Sequence, residues 1–154
     1  MLKKAFFILI VIFMFSCSSN RVSKNDVLSF MDKYFEELKQ NDFNKIESYY
    51  TETFYKNTSK EKWEELFYKV HSIFGKLEST ELESWSMKSM LATSGSGTTY
   101  TLTYKNKYEN GVVTETIDIF IPKGKNEFGI IRHNYNSNLF LDSVQTNSVR
   151  TNGI

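Results

Sequence analysis

Two side chains in the last third of the chain have the types and spacing that proton transfer requires. Glu115 is the single charged residue on the apolar face of a predicted β-hairpin, and the register of the next strand places His133 beside it. A carboxylate next to an imidazole can serve as a general base when both groups reach a bound molecule. Glu115 and His133 are therefore the candidate catalytic residues.

Four neighbouring residues on the same face would form the walls of such a site. They are Tyr104, Asn106, Tyr108 and Tyr135. We interpret these four as candidate binding residues, with Asn106 directly opposite Glu115 in the predicted register. In the alternative interpretation, Glu115 lies near the wet rim of the sheet, and Asn106 and His133 only satisfy its charge.

The sequence lacks the motifs of metal, nucleotide and serine-hydrolase sites. It contains no HExxH, no cysteine–histidine cluster, no glycine-rich phosphate loop and no GxSxG. We therefore expect no metal and no cofactor. His71 falls within a helical pattern and is interpreted as a helix-side histidine, and the two tryptophans are interpreted as core residues. With 19 Lys+Arg against 18 Asp+Glu, the chain has no basic footprint for nucleic acid.

Cys17 is the only cysteine of the chain, and the segment before it is typical of exported proteins. Lys3 and Lys4 precede an unbroken apolar run over residues 5–15. A helix of that length reaches about 16 Å, which is short of the ~30 Å hydrocarbon core of a bilayer. The run therefore has the length of a signal peptide and not that of a membrane span.

The junction at Ser16 and Cys17 resembles the lipobox of bacterial lipoproteins, although Met14 stands where leucine is usual. The resemblance implies cleavage after residue 16 and a Cys17 that carries fatty acyl chains such as palmitate. Such an anchor would hold the mature protein to the cell envelope without a span. Ser18, in place of aspartate, resembles the signal for the outer membrane in a cell that has one, where the domain would face the periplasm. A plain signal peptide with an incidental cysteine is the alternative.

Behind a tether over residues 17–25, three helical patterns open a domain over residues 26–141. The first covers residues 26–40, and Asp42 is predicted to cap a second, short helix that starts at Phe43. The third begins with a capping box at Thr58 and ends at Gly75. Residues 142–154 are polar without periodicity and are interpreted as a tail.

Four strands are predicted after Gly75, within residues 77–91 and at residues 98–108, 112–121 and 128–136. Asn110 and Gly111 predict a type I′ turn with positive φ at Gly111, which would pair Tyr104 with Ile117. This register places eight apolar residues on one sheet face: Tyr100, Leu102, Tyr104, Tyr108, Val113, Ile117, Ile119 and Ile121.

The opposite, outer face of the sheet carries its own apolar group. With Phe120 paired to Phe128, the side chains of Phe120, Phe128 and Ile130 would cluster there among threonines. Grouped exposed apolar residues often mark an interface, so this face could serve a homodimer or a protein partner. Coverage of the same face by Leu139, Phe140 and Leu141 is the alternative.

Helices followed by an antiparallel sheet with one apolar face predict an α+β fold in two layers. Three stretches of the chain resemble the cystatin-like, cone-shaped superfamily that includes nuclear transport factor 2, ketosteroid isomerase and SnoaL-like proteins. They are residues 40–43 (QNDF), 74–77 (FGKL) and 104–115 (YKNKYENGVVTE). The resemblance implies a curved sheet of about four strands wrapped around the helices, a pocket at the open end of the cone, and frequent dimerisation through the outer face.

Three functions remain compatible with these features. The first is non-catalytic binding of a ligand or a protein by a lipid-anchored domain of the cell envelope. The second is an enzyme of the isomerase or dehydratase type that uses Glu115 and His133. The third is a structural subunit of an envelope complex.

Overall fold

Helices precede strands along the chain in the computed structural model, which describes residues 22–91 and 95–136. The helices of these residues are α1 (Lys24–Leu38), α2 (Phe43–Ile46), α3 (Glu52–Asn57) and α4 (Lys60–Phe74), with a 3-10 turn at Glu47–Tyr49. The strands are β1 (Leu77–Met90), β2 (Gly97–Tyr108), β3 (Gly111–Pro122) and β4 (Gly129–Asn136). They form one curved antiparallel sheet in the order β1-β2-β3-β4. The prediction of an α+β fold with about four strands is confirmed.

Several predicted features lie outside the described residues. They are the signal peptide, Cys17, most of the tether, the apolar residues 139–141 and the polar tail. Among residues 22–91 and 95–136, no helix combines the length and the apolar character that crossing a membrane would require.

The helix boundaries follow from local capping. Ser23 caps α1 because its hydroxyl accepts a hydrogen bond from the backbone N–H of Asp26, whose carboxylate accepts from the backbone N–H of Ser23. Asp42 caps α2 as predicted. For α4 the cap is Ser59, one residue later than the predicted Thr58, while Gly75 ends the helix with φ 77° as expected. The short α3, capped by Thr51, was not predicted.

The predicted pairing of the hairpin strands is wrong by two residues. Tyr108 pairs with Gly111 and Tyr104 pairs with Glu115, so Glu109 and Asn110 form the turn. Gly111 is not among the positive-φ residues of the described chain. Tertiary hydrogen bonds set this turn, because the N–H groups of Glu109 and Asn110 donate to the backbone carbonyls of residues 76 and 74, at 3.0 and 2.8 Å. These contacts outweigh the local preference of Asn-Gly for a type I′ turn.

The face assignment survives this shift because a displacement by two residues leaves every side chain on its own side of the sheet. All eight residues predicted for the apolar face are buried. They face α1 and α4 across the core. On the α1 side, for example, the centroids of the Phe35 and Tyr104 rings are 4.7 Å apart. The inner face of β2 and β3 therefore carries one half of the hydrophobic core.

The prediction of an outer cluster of three apolar residues is wrong. Phe120 pairs with Gly129, and β4 has a bulge opposite Asp118 and Ile119. The bulge reverses which side chains of the first part of β4 face the core. Ile130 is consequently fully buried in the core. Phe128 packs with Phe30 of α1, their ring centroids 5.1 Å apart. Of the three residues, Phe120 alone stays on the outer face, where it is half-buried.

Candidate functional site

A continuous chain of hydrogen bonds runs through the interior between the helices and the sheet. The hydroxyl groups of Tyr34 and Tyr50 are 2.9 Å apart, and Tyr50 Oη lies 2.9 Å from Nδ1 of His133. On the other side of the imidazole, Nε2 lies 2.9 Å from Oε2 of Glu115. Tyr108 donates its hydroxyl hydrogen to Oε1 of the same carboxylate at 2.7 Å. We call these five residues the buried network.

Five separate segments supply the members of the buried network. Tyr34 lies on α1, Tyr108 at the end of β2, Glu115 on β3 and His133 on β4. Tyr50 follows the 3-10 turn, and the backbone there pairs with Ile130 of β4 in an isolated parallel bridge. This bridge holds the Tyr50 ring against the imidazole of His133, with their ring centroids 6.1 Å apart and nearly parallel.

Donors and acceptors can be matched along the whole buried network. When Nε2 of His133 donates to Glu115, Nδ1 can accept from Tyr50, whose oxygen can in turn accept from Tyr34. Burial raises the pKa of Tyr108, and the adjacent charge of Glu115 raises it further, so this hydroxyl remains a neutral donor. Burial likewise raises the pKa of Tyr34 and Tyr50 well above the ordinary value.

The predicted pair of Glu115 and His133 is brought together, although not by the predicted register. In the sheet Glu115 stands opposite Tyr135, and His133 stands opposite Ile117, so the contact between the two side chains is diagonal. Both side chains are 0% exposed. A substrate from solvent therefore has no access to the pair in this conformation.

Some of the predicted wall residues lie next to Glu115 or His133, and one does not. Tyr135 stacks on the imidazole of His133 with ring centroids 4.5 Å apart, and Tyr104 lies opposite Glu115. Asn106 is opposite Val113 instead of Glu115, which corrects the prediction. It is fully buried, and its amide has no hydrogen-bond partner among the described residues.

Sequence reasoning did not place four further aromatic side chains in or beside the buried network. Tyr34 and Tyr50 were not among the predicted site residues, although their hydroxyl groups could have indicated hydrogen-bond partners in the core. Trp63 lies in the core as predicted, 5.2 Å from the ring of His133, whereas the prediction of a core position is wrong for Trp85, which is exposed. His71, read as a helix-side residue, is buried between Phe67 and Tyr108, and burial lowers its pKa. No cluster of histidine and acidic side chains suited to a metal ion occurs in residues 22–91 and 95–136.

A second candidate site is a groove of about 800 Å³ at the end of the sheet remote from the Glu109–Asn110 turn. Tyr100 and Ile121 contribute from the inner face of β2 and β3, and Met87 and Met90 contribute from β1. Pro122 at the end of β3 and residues 123–126 after it also line the groove, together with Leu91, Gly97 and Val22. We call this site the sheet-end groove.

The charged side chains that line the sheet-end groove are all positive. Among the 14 residues that line it, Lys123 and Lys125 are the charged ones, and both are exposed. Ser89, Thr98 and Asn126 add neutral polar groups. The arrangement can accommodate an apolar body and place an anionic group beside the two lysines.

No protein-family model, no curated protein and no solved structure matches this chain. The two sites therefore carry the functional argument through their own geometry. The enclosed buried network offers no entrance, whereas the sheet-end groove is open and already large enough for a small molecule.

Proposed function

We propose that this protein is a lipid-anchored protein of the bacterial cell envelope whose domain binds a small amphiphilic ligand without transforming it. The observation that carries the proposal is the sheet-end groove, with its apolar interior and lysine-bearing rim. The segment that ends at Cys17 supports the anchor, because it resembles a lipoprotein signal. The order of helices and curved sheet supports membership of the cone-shaped, nuclear transport factor 2-like superfamily.

The size and chemistry of the groove favour a ligand of modest size. Its volume of about 800 Å³ falls within the range of roughly 300–1,000 Å³ that is usual for ligand sites. Methionines such as Met87 and Met90 adapt to irregular apolar shapes because their side chains are unbranched and flexible. Lys123 and Lys125 would attract a carboxylate or phosphate group at the rim. We therefore propose an anionic amphiphile as the ligand.

The buried network supports a structural role for Glu115 and His133 in this proposal. Both oxygens of the Glu115 carboxylate already have hydrogen-bond partners, in Tyr108 and His133. A general base needs a free lone pair directed at a bound substrate, and the enclosed carboxylate has no such approach. The isomerase or dehydratase alternative would require the core to open around the pair.

The proposal can be tested with octanoate, a soluble anionic amphiphile, and the mature protein held in lipid nanodiscs. Saturation-transfer NMR should detect octanoate bound to the protein, after subtraction of the signal from empty nanodiscs. Met87→Glu should weaken this binding because it places a negative charge inside the groove. Val112→Glu is the matched control, since Val112 is similarly exposed but lies at the other end of the sheet.

Two outcomes would contradict the proposal. Equal binding by the wild type and Met87→Glu would place the ligand outside the groove. Loss of octanoate binding in a folded Glu115→Gln variant would assign the ligand to the buried network instead, because Glu115 does not line the groove.

A further inference from the structure

The exposed apolar side chains of the described residues are concentrated in one place. Six large hydrophobic residues are exposed, and four of them lie at the end of β1 and directly after it: Trp85, Met87, Met90 and Leu91. The other two, Tyr68 on α4 and Val112 on β3, stand apart from this group. Trp85 and Met87 lie on one face of β1, Met90 lies on the other face at the end of the strand, and Met87, Met90 and Leu91 also line the sheet-end groove. Exposed apolar residues grouped at one end of a sheet often mark an interface, so the four residues indicate a contact surface. We call it the strand-end surface.

Basic groups border the strand-end surface. The ammonium of Lys24 lies 4.1 Å from the centroid of the Trp85 ring, and Lys123 and Lys125 stand on the rim of the adjoining groove. Tryptophan with lysine is the combination found at the interface of a bilayer, where the ring lies at headgroup level and the ammonium meets lipid phosphates. Lysines near an anionic membrane surface are attracted to it over about a Debye length.

The position of the anchor agrees with this chemistry. Val22 lines the sheet-end groove and stands five residues after Cys17 in the sequence. Five extended residues span at most about 17 Å, so an acyl group on Cys17 would hold this end of the domain close to the bilayer. The turn at the other end of β2 lies roughly 37 Å away along the strand.

We propose that the strand-end surface is the membrane-facing surface of the protein and contacts an anionic phospholipid bilayer directly. The inference rests on the proposed lipid anchor and goes beyond it, because an anchor alone would leave the domain free to turn. Trp85 inserts among the headgroups, the lysines bind their phosphates, and the methionines line the mouth of the groove beside the membrane. The sheet-end groove then opens towards the membrane, which can supply or receive its amphiphilic ligand.

The test uses the mature acylated protein in vesicles that contain anionic phospholipids with brominated acyl chains, which quench nearby tryptophan fluorescence. Trp85 should lose most of its emission, whereas Trp63 should keep its emission because it is buried in the core at 2% exposure. The variant Trp85→Phe isolates the Trp63 signal. In that background Val112→Trp reports the remote end of the sheet and should not be quenched.

Charge reversal tests the role of the lipid phosphates. Lys24→Glu should lower the ratio of docked to undocked molecules, by roughly fivefold for the loss of one positive charge alone. Lys105→Glu is the matched control, because Lys105 is exposed in the half of β2 nearer the Glu109–Asn110 turn and does not line the groove. High salt should weaken docking in the wild type for the same reason.

Mass measurement of the N-terminal peptide separates this inference from the proposed function. A chain without acyl groups on Cys17 contradicts the anchor and the inference together. An acylated chain with unquenched Trp85 contradicts the membrane-facing surface alone, as does equal quenching at Val112→Trp. Because Trp85 and Lys24 do not line the groove, octanoate binding should survive in both variants.

Discussion

Replacing Glu115 with alanine removes the acceptor at the centre of the buried network, and the structure sets the size of the effect. Two hydrogen bonds are lost, from Tyr108 at 2.7 Å and from His133 at 2.9 Å. Each donor left unpaired in the interior costs about 1–3 kcal/mol, and the vacated volume adds a further cost. We expect Glu115→Ala to lower the free energy of unfolding by about 3–5 kcal/mol.

Glu115→Gln is the informative comparison. The amide oxygen still accepts from Tyr108, and the amide nitrogen can donate to the imidazole of His133 in its other tautomer. The donors and acceptors of Tyr34 and Tyr50 can reverse direction to match. We therefore expect a loss of only about 1 kcal/mol, comparable to one neutral hydrogen bond.

Urea unfolding followed by circular dichroism measures both variants against the wild type at neutral pH. The network reasoning is refuted if Glu115→Ala unfolds within about 1 kcal/mol of the wild type. It is also refuted if Glu115→Gln is as unstable as Glu115→Ala, since charge and not hydrogen bonding would then hold the network. A gain in stability on removal of Glu115 would indicate a strained functional carboxylate instead.

Three further predictions follow from single positions. Cys17→Ser should abolish labelling by a fatty-acid probe, because thioether lipidation needs the sulfur; equal labelling of both chains would end the lipoprotein interpretation. Burial lowers the pKa of His71 below its ordinary value of 6.5, so the unfolded chain binds a proton more readily, and the free energy of unfolding should fall as the pH drops below 6.5. His71→Gln should flatten that pH profile in thermal unfolding, and an unchanged slope would contradict the assignment. Gly75→Ala should destabilise by about 1–2 kcal/mol, since Gly75 has φ 77° and its new Cβ would meet Glu109; Gly111→Ala should leave the melting temperature nearly unchanged.

Side-chain alternation predicted the sheet well because it depends on parity and not on exact pairing. Tyr104 was matched to Ile117 and in fact pairs with Glu115, yet both strands kept their apolar faces. The turn could not be read locally because residues 74 and 76, more than thirty positions earlier, hold its backbone. Ile130 was misplaced for a related reason, since a bulge in β4 changes the parity that the prediction relied on.

The sequence predicted the central pair of the candidate site but not the tyrosines that extend the hydrogen-bond chain towards α1. Glu115 and His133 were found because a charge and an imidazole are conspicuous on an apolar face. Tyr34 and Tyr50 were not, because tyrosine fits an apolar stripe equally well whether or not its hydroxyl has a partner. The sequence also gave no indication that the pair would be enclosed, since enclosure depends on how α1 and α4 cover the sheet.

The order in which the buried network can form has a consequence for how the chain folds. Tyr50 and His133 are separated by 83 positions, and His133 belongs to the last strand of the described chain. Contacts between such distant residues form slowly, because a long loop must close before they can contribute stability. In the export that we propose, a chain that emerges N-terminus first cannot complete its core until β4 has emerged. We expect the hydrogen bonds from Tyr50 and Glu115 to His133 to be among the last to close.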